Sequence, residues 1–189
     1  MAVPPPAGTI AAGEQARVGD PDPGATQTAV LAGGCFWGME ELLRQVSGVL
    51  DTTVGYAGGR LDKPRYDDVS SGTTGHAESV RVTFDASVLS YERLLLYFFT
   101  IHDPTTPNRQ GNDRGTQYRS AIFADGPEQR SVAERVIARV NASGDWSSPV
   151  TTELVGGAEF HSAEEFHQDY LRRNPGGYTC HYEREVSYY

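Results

Sequence analysis

Thr28-Ala29-Val30-Leu31-Ala32, followed by Gly33-Gly34-Cys35-Phe36-Trp37-Gly38, is the stretch on which the reading of this chain turns. The first five residues read as a short strand, and the glycine pair breaks it. A helix is predicted from about Phe36 to Gln45, because Met39, Leu42, Leu43 and Val46 recur at i, i+3, i+4 and i+7 as an apolar stripe. Cys35 stands between strand and helix. There it faces the unpaired N–H groups and the positive dipole end of a helix N-terminus, which favour a thiolate. Such placement lowers a thiol pKa from about 8.5 toward roughly 3.5–7.5, so Cys35 is a candidate nucleophile. The glycines let a substrate approach the backbone, and Phe36 and Trp37 can wall an apolar pocket beside the sulfur. The bland alternative is a structural cysteine among core aromatics.

Working outward, Val49 to Tyr56 reads as a strand closed by Gly58-Gly59. Ala77 to Phe84 alternates, with Val80, Val82 and Phe84 on one face and Arg81 and Thr83 on the other. Ser90 is a plausible N-cap for a helix through Ile101. Tyr118 to Ala124 is a strand. Asp125 caps a helix with Pro127 near its start, Val132, Val136 and Val140 on one stripe, and Gly144 as its stop. Val150 to Val155 is a strand, and Ser162-Ala163-Glu164-Glu165 reads as a capping box opening a helix to about Leu171. From Asn174 the Pro-Gly-Gly run implies an irregular tail. Several strand pairs lack a helical crossover. The expected class is therefore α+β, a two-layer sandwich with a mixed sheet and a ferredoxin-like core, plus irregular N- and C-terminal segments.

Three further stretches are candidates for chemistry. Gly75-His76-Ala77-Glu78 heads the alternating strand. A glutamate held against apolar surface keeps its proton more readily and can serve as an acid near neutral pH; the alternative is a solvated strand-end carboxylate. Arg109 to Ser120 is a long polar stretch with two glycines, and it reads as a shaped binding loop or an ordinary connection. Tyr66 can donate a hydrogen bond or simply pack. Gly176-Gly177-Tyr178-Thr179-Cys180 is a glycine-rich tail that could carry its thiol to another sulfur. His161 and His167 lack metal-ligand spacing and are assigned to a solvated helix face.

Composition bounds the rest. The chain has 189 residues, 38% hydrophobic and 22% charged, which fits one soluble domain. Residues 1–27 are expected to be a flexible Pro/Gly/Ala-rich extension, and residues 28–189 a single catalytic domain with a Gly-rich C-terminal tail. The net charge of −9 disfavours nucleic acid and anionic membranes as partners, and no run approaches a membrane span. Two cysteines are too few for a disulfide scaffold or a structural zinc site. With no secretory signal pattern, a reducing cytoplasmic compartment is expected, where a cysteine pair is more often redox-active than structural.

Gly33-Gly34-Cys35-Phe36-Trp37-Gly38, Gly75-His76-Ala77-Glu78 and Gly111-Asn112-Asp113-Arg114-Gly115-Thr116-Gln117-Tyr118-Arg119-Ser120, in this order, resemble the peptide methionine-S-sulfoxide reductase family, A class. Val54 to Gly59, Ile101-His102-Asp103-Pro104 and His167-Gln168-Asp169-Tyr170-Leu171 are similar to it too. The resemblance covers about Ala29 to Cys180. It implies a thiol-based repair enzyme without metal, flavin or nicotinamide. In the implied mechanism Cys35 attacks the sulfoxide sulfur of methionine-S-sulfoxide, free or in proteins. Glu78 supplies the proton, Tyr66 and Tyr118 hold the oxygen, Asp113 orders the site, and Phe36 and Trp37 cradle the methyl group. Cys35 becomes a sulfenic acid, Cys180 condenses with it, and thioredoxin or a similar dithiol protein reduces the disulfide. Some members have a second tail cysteine or another before Gly-His-Ala-Glu. Here only Cys180 follows, and Ser70 and Ser71 stand in the earlier region, so a single-step relay is implied. A monomer is expected. Two rivals stay open: a cysteine hydrolase or acyltransferase with a base such as His76, and a non-catalytic binding module.

Overall fold

A computed structural model describes residues 26–189. The expected extension lies outside the described residues except for Thr26 and Gln27, which already belong to the first strand. In chain order the elements are β1 (Thr26–Gly33), α1 (Phe36–Leu43), β2 (Val49–Ala57), α2 (Tyr66–Ser70), β3 (Ala77–Asp85), α3 (Tyr91–Thr100), β4 (Arg109–Gln110), β5 (Asp113–Arg114), β6 (Ser120–Ala124), α4 (Gly126–Ser143), β7 (Glu153–Gly156), β8 (Phe160–Ser162) and α5 (Tyr170–Arg173). Single 3₁₀ turns span Thr116–Tyr118 and Glu165–His167.

Six strands form one mixed sheet in the order β7-β6-β1-β3-β2-β8. All neighbours are antiparallel except β6 and β7. Helices α1, α3 and α4 pack on the face that presents Leu31, Val54, Tyr56, Val80, Val82 and Ile122. Leu31, Leu43, Leu94, Leu95, Phe98, Phe99 and Ile101 are fully buried there. Each such side chain contributes roughly 1.5–3 kcal/mol through burial. The opposite face is lined by small residues, Ala32, Ala57, Ala77 and Ala121, with Phe123.

Most predicted elements are present; β1, β2 and β3 run slightly longer than expected, and α1 and β6 shorter. Ser90 caps α3 by accepting the Arg93 N–H at 3.2 Å. Gly144 ends α4 at φ 79°, a left-handed conformation that glycine adopts without strain. Asp125 does not cap α4 through its side chain; its N–H donates instead to Gln129 Oε1 at 3.0 Å. The continuous helix expected from Ser162 to about Leu171 does not form. Ser162 pairs with Gly55 in β8, and a 3₁₀ turn and the four-residue α5 follow. The Glu164 carboxylate accepts the Tyr56 hydroxyl and the Tyr66 N–H, both at 2.9 Å, so tertiary partners draw this segment against the sheet.

The tail is irregular, yet its end is fastened. The Arg184 N–H donates to Thr100 O at 3.1 Å, the Tyr188 hydroxyl to Phe99 O at 2.9 Å, and Ser187 to Asp145. Among the described residues no helix is long and apolar enough to cross a membrane.

Candidate active site

Register places the chemistry. Leu31 of β1 pairs with Val80 of β3, so two residues further β1 ends level with Glu78. Glu78 shares its face of β3 with the buried Val80, Val82 and Phe84, and so points at α1 rather than at water. Between β1 and α1, Gly34 adopts φ +115°, and a side chain there would lie 2.6 Å from Gln110 Cβ. Glycine is therefore required for the turn that presents Cys35. Cys35 is the N-cap residue of α1. The first helical N–H, that of Phe36, donates to Glu78 Oε2 at 3.0 Å.

A cavity of about 140 Å³ opens at this point, lined by Cys35, Phe36, Trp37, Tyr66, Glu78, Asp113, Tyr118 and Tyr178. Seven of the eight residues predicted from sequence thus share one small site. The eighth, Cys180, is adjacent: its thiol donates to Asp113 Oδ2 at 3.4 Å. Tyr178 joins the lining, and its hydroxyl reaches both Asp113 carboxylate oxygens at 3.2 and 3.3 Å. Larger clefts of about 250 and 220 Å³ elsewhere hold no thiol.

The electrostatics correct one expectation. The Cys35 thiol pKa is raised, not lowered. Burial is the main cause, the Glu78 carboxylate is the second, and the Trp37 backbone N–H opposes both. The helix end does act on the sulfur, but its Phe36 N–H serves Glu78, and desolvation outweighs the rest. Glu78 is only 3% exposed, and burial pushes its pKa from 4.5 up to about 8 against the Phe36 hydrogen bond. Near neutral pH the site thus holds a thiol beside an uncharged carboxylic acid. Burial also raises Tyr66 and Tyr118, with Glu78 adding to both, so both phenols remain donors. Cys180 is pushed up to about 11 by burial and then by Asp113. Both cysteines are free thiols.

The histidines fall elsewhere than expected. His167 is buried, not on a solvated helix face, and its Nδ1 accepts the Trp37 indole N–H at 3.1 Å. His76 Nδ1 accepts the Gly59 N–H, and its Nε2 faces Leu61 O at 2.8 Å. With both nitrogens occupied it is not placed as a base for Cys35, which removes the geometric support for the hydrolase reading. His102 joins Phe98 O to Ser120 Oγ and fixes the end of α3 beside β6. Sequence reasoning missed Glu164 and Tyr178. The tyrosine stood in a stretch already singled out for Cys180, whereas nothing local marks the glutamate. Among the described residues no group of three or more His, Cys, Asp or Glu is arranged to hold a metal.

A thiol, a neutral acid, tyrosine donors and a second thiol around a small aromatic cavity can reduce a polar sulfur–oxygen group. The comparisons agree with that chemistry. Residues 27–188 match the family model for peptide methionine sulfoxide reductase, and the chain belongs to that family. It is 55% identical over 159 residues to the peptide methionine sulfoxide reductase MsrA of Nocardia farcinica, covering 84% of this chain and 91% of that protein. Among solved structures it resembles Mxr1 from Saccharomyces cerevisiae in reduced form, with TM-score 0.80 and 38% identity, covering 87% of this chain and 95% of that one. It also resembles Mxr1 in complex with Trx2, with TM-score 0.59 and 28% identity over 87% of this chain and 94% of that one.

Proposed function

We propose that this protein reduces methionine-S-sulfoxide, in proteins or free, to methionine, and is recycled by a thioredoxin-like dithiol protein. The observation that carries the reading is the buried Glu78 carboxyl beside Cys35 in a cavity walled by Phe36, Trp37, Tyr66 and Tyr118. Sulfoxide sulfur is a weak electrophile until its oxygen is protonated. Glu78 donates that proton as Cys35 attacks, and it recovers one from the thiol. Tyr66 and Tyr118 hold the oxygen, and Phe36 and Trp37 take the methyl group. Thiol plus sulfoxide gives sulfenic acid plus sulfide, a balanced two-electron exchange in which oxygen passes to Cys35. Cys180 then displaces that oxygen as water and forms a disulfide. An external dithiol reduces it, a reading supported by the similarity to Mxr1 in its complex with Trx2.

We also read the four central strands as a ferredoxin-like core. Their order β6-β1-β3-β2, with α1 between the first two in sequence and α3 between the last two, supports this. Residues 28–189 are read as one catalytic domain, acting as a monomer in a reducing cytoplasm. The test is reduction of separate S and R epimers of methionine sulfoxide with dithiothreitol. Turnover of the S epimer is expected; turnover of neither epimer overturns the reading.

A further inference from the structure

Four consecutive residues, His167 to Tyr170, fasten this segment to the α1 region and to β2. His167 Nδ1 accepts the Trp37 indole N–H at 3.1 Å. The Gln168 amide grips Val54 from both sides, accepting its N–H at 2.9 Å and donating to its carbonyl at 3.0 Å. The Asp169 N–H donates to Glu40 Oε2 at 3.0 Å, and its carboxylate pairs with Arg44. Tyr170 lies flat on the Trp37 indole, ring centres 3.8 Å apart and planes 12° from parallel.

Glu40 is almost fully buried, where an ionised carboxylate is costly without partners. It has them: Arg44 at 3.0 Å, the Thr52 hydroxyl at 3.1 Å and the Asp169 N–H. No step of the reaction uses this cluster. What it does is dock the 167–170 segment onto the same helix that carries Trp37. An indole N–H can only donate, so His167 Nδ1 must accept and the ring proton sits on Nε2. Burial favours the same neutral ring, against the opposing Glu164 carboxylate. The His167 ring also lies 4.6 Å from Tyr66 and 5.2 Å from Phe36, centre to centre, so it backs three walls of the cavity.

We propose that His167 and Tyr170 are positioning residues that lock the Trp37 indole by its edge and its face, and thereby set the cavity's preference for a methyl over a larger alkyl group on the sulfoxide sulfur. The proposal rests on the methionine-sulfoxide reading of this cavity. An apolar pocket discriminates one methylene by roughly 10–200-fold only where its walls cannot yield. A free indole could turn about its side-chain torsions to admit a larger group. One clamped by a hydrogen bond and a stacked ring cannot.

The test uses the full chain with Trp146→Phe, so that Trp37 is the sole tryptophan. Into this go His167→Phe, which removes the acceptor, His167→Gln, which keeps one, and Tyr170→Leu. N-acetyl-methionine-S-sulfoxide and its ethyl homologue are assayed with dithiothreitol, and Trp37 emission is recorded. His167→Phe and Tyr170→Leu should raise KM for the methyl substrate about tenfold with kcat within about threefold, shift the emission, and narrow the methyl-to-ethyl ratio of kcat/KM. His167→Gln should restore all three. Unchanged KM and ratio in the folded variants, or a loss confined to kcat, overturns the proposal. If one variant fails to fold, the other still decides. If the parent reduces neither sulfoxide, the functional reading fails. Trp37 emission and its response to dimethyl sulfoxide, which need no turnover, then still judge the clamp: an emission identical across the variants overturns it.

Discussion

Cys180 and Asp113 meet through a thiol–carboxylate contact of 3.4 Å, although 67 residues separate them in the chain. Asp113 also receives the Tyr178 hydroxyl, so a single carboxylate anchors the tail at the mouth of the cavity. Its negative charge opposes ionisation of the thiol it holds, adding to burial in keeping the Cys180 pKa up at about 11. Replacing Asp113 by Asn removes the charge and should lower that pKa. In a Cys35→Ser background, alkylation of Cys180 by iodoacetamide near pH 8 should then quicken several-fold, up to about tenfold per unit of pKa. Alkylation that stays the same or slows would show that the contact does not control the thiol.

Glu78 links catalysis to stability with opposite signs. As the acid, it should contribute about 10²–10⁴-fold to the methionine-forming step, so Glu78→Gln should slow a single turnover by such a factor. Its pKa of about 8 in the fold, against an ordinary 4.5, means the native state holds a proton that the unfolded state releases earlier. Stability is then full below about pH 4.5 and falls as pH rises toward about 8, by an amount on the order of a few kcal/mol. Glu78→Gln removes that penalty. Thermal melts should show the variant more stable than the parent at about pH 9, with the two converging near pH 5. A variant less stable at the higher pH contradicts the buried-acid account.

Why Glu78 was legible and His167 was not is a matter of sequence distance. The period-2 pattern of Val80, Val82 and Phe84 carries back to Glu78, so one rule of strand geometry puts the carboxylate on the core face. The glycine turn before Cys35 and the stripe of α1 are likewise local. His167 and Glu164 are defined by partners about a hundred residues or more away, Trp37 for one and Tyr56 and Tyr66 for the other. A capping-box pattern cannot compete with those contacts, and nothing near Ser162 announces them. The Cys35 pKa failed for the related reason that a helix N-terminus is visible in sequence, while the depth at which it is buried is not.

Cys180 separates the chemical step from recycling. Cys180→Ser should still release about one methionine per enzyme, because Cys35 and Glu78 are intact. The sulfenic acid should persist and be trapped by a dimedone-type reagent. Thioredoxin-supported turnover should collapse while some dithiothreitol activity survives. Normal thioredoxin-driven turnover in this variant would make Cys180 a mere tail residue.

Gly38 offers a test of tail docking that touches neither thiol. It lies within α1, where alanine is conformationally easy, but an added Cβ would collide with Thr179 Oγ1 and lie 2.7 Å from His181 Cδ2. The His181 ring is buried and held against Ile101 O at 3.0 Å, so it cannot swing aside freely. Gly38→Ala should cost about 1–3 kcal/mol of overpacking, largely at the tail. Methionine release in a single turnover should stay within about threefold, while thioredoxin-driven cycling slows more. Loss of both together would mean that the tail and the cavity are one rigid unit.

The fastening of the chain's end has a thermodynamic side. Cys35 follows the first strand of the sheet, and Cys180 precedes the anchored last residues, so a bond between them encloses nearly the whole domain. Chain-entropy models give a loop of more than 100 residues a denatured-state restriction on the order of 4–5 kcal/mol. The oxidised enzyme should therefore melt higher than the reduced one, and each reduction by the partner dithiol would loosen the protein globally as well as restore its nucleophile.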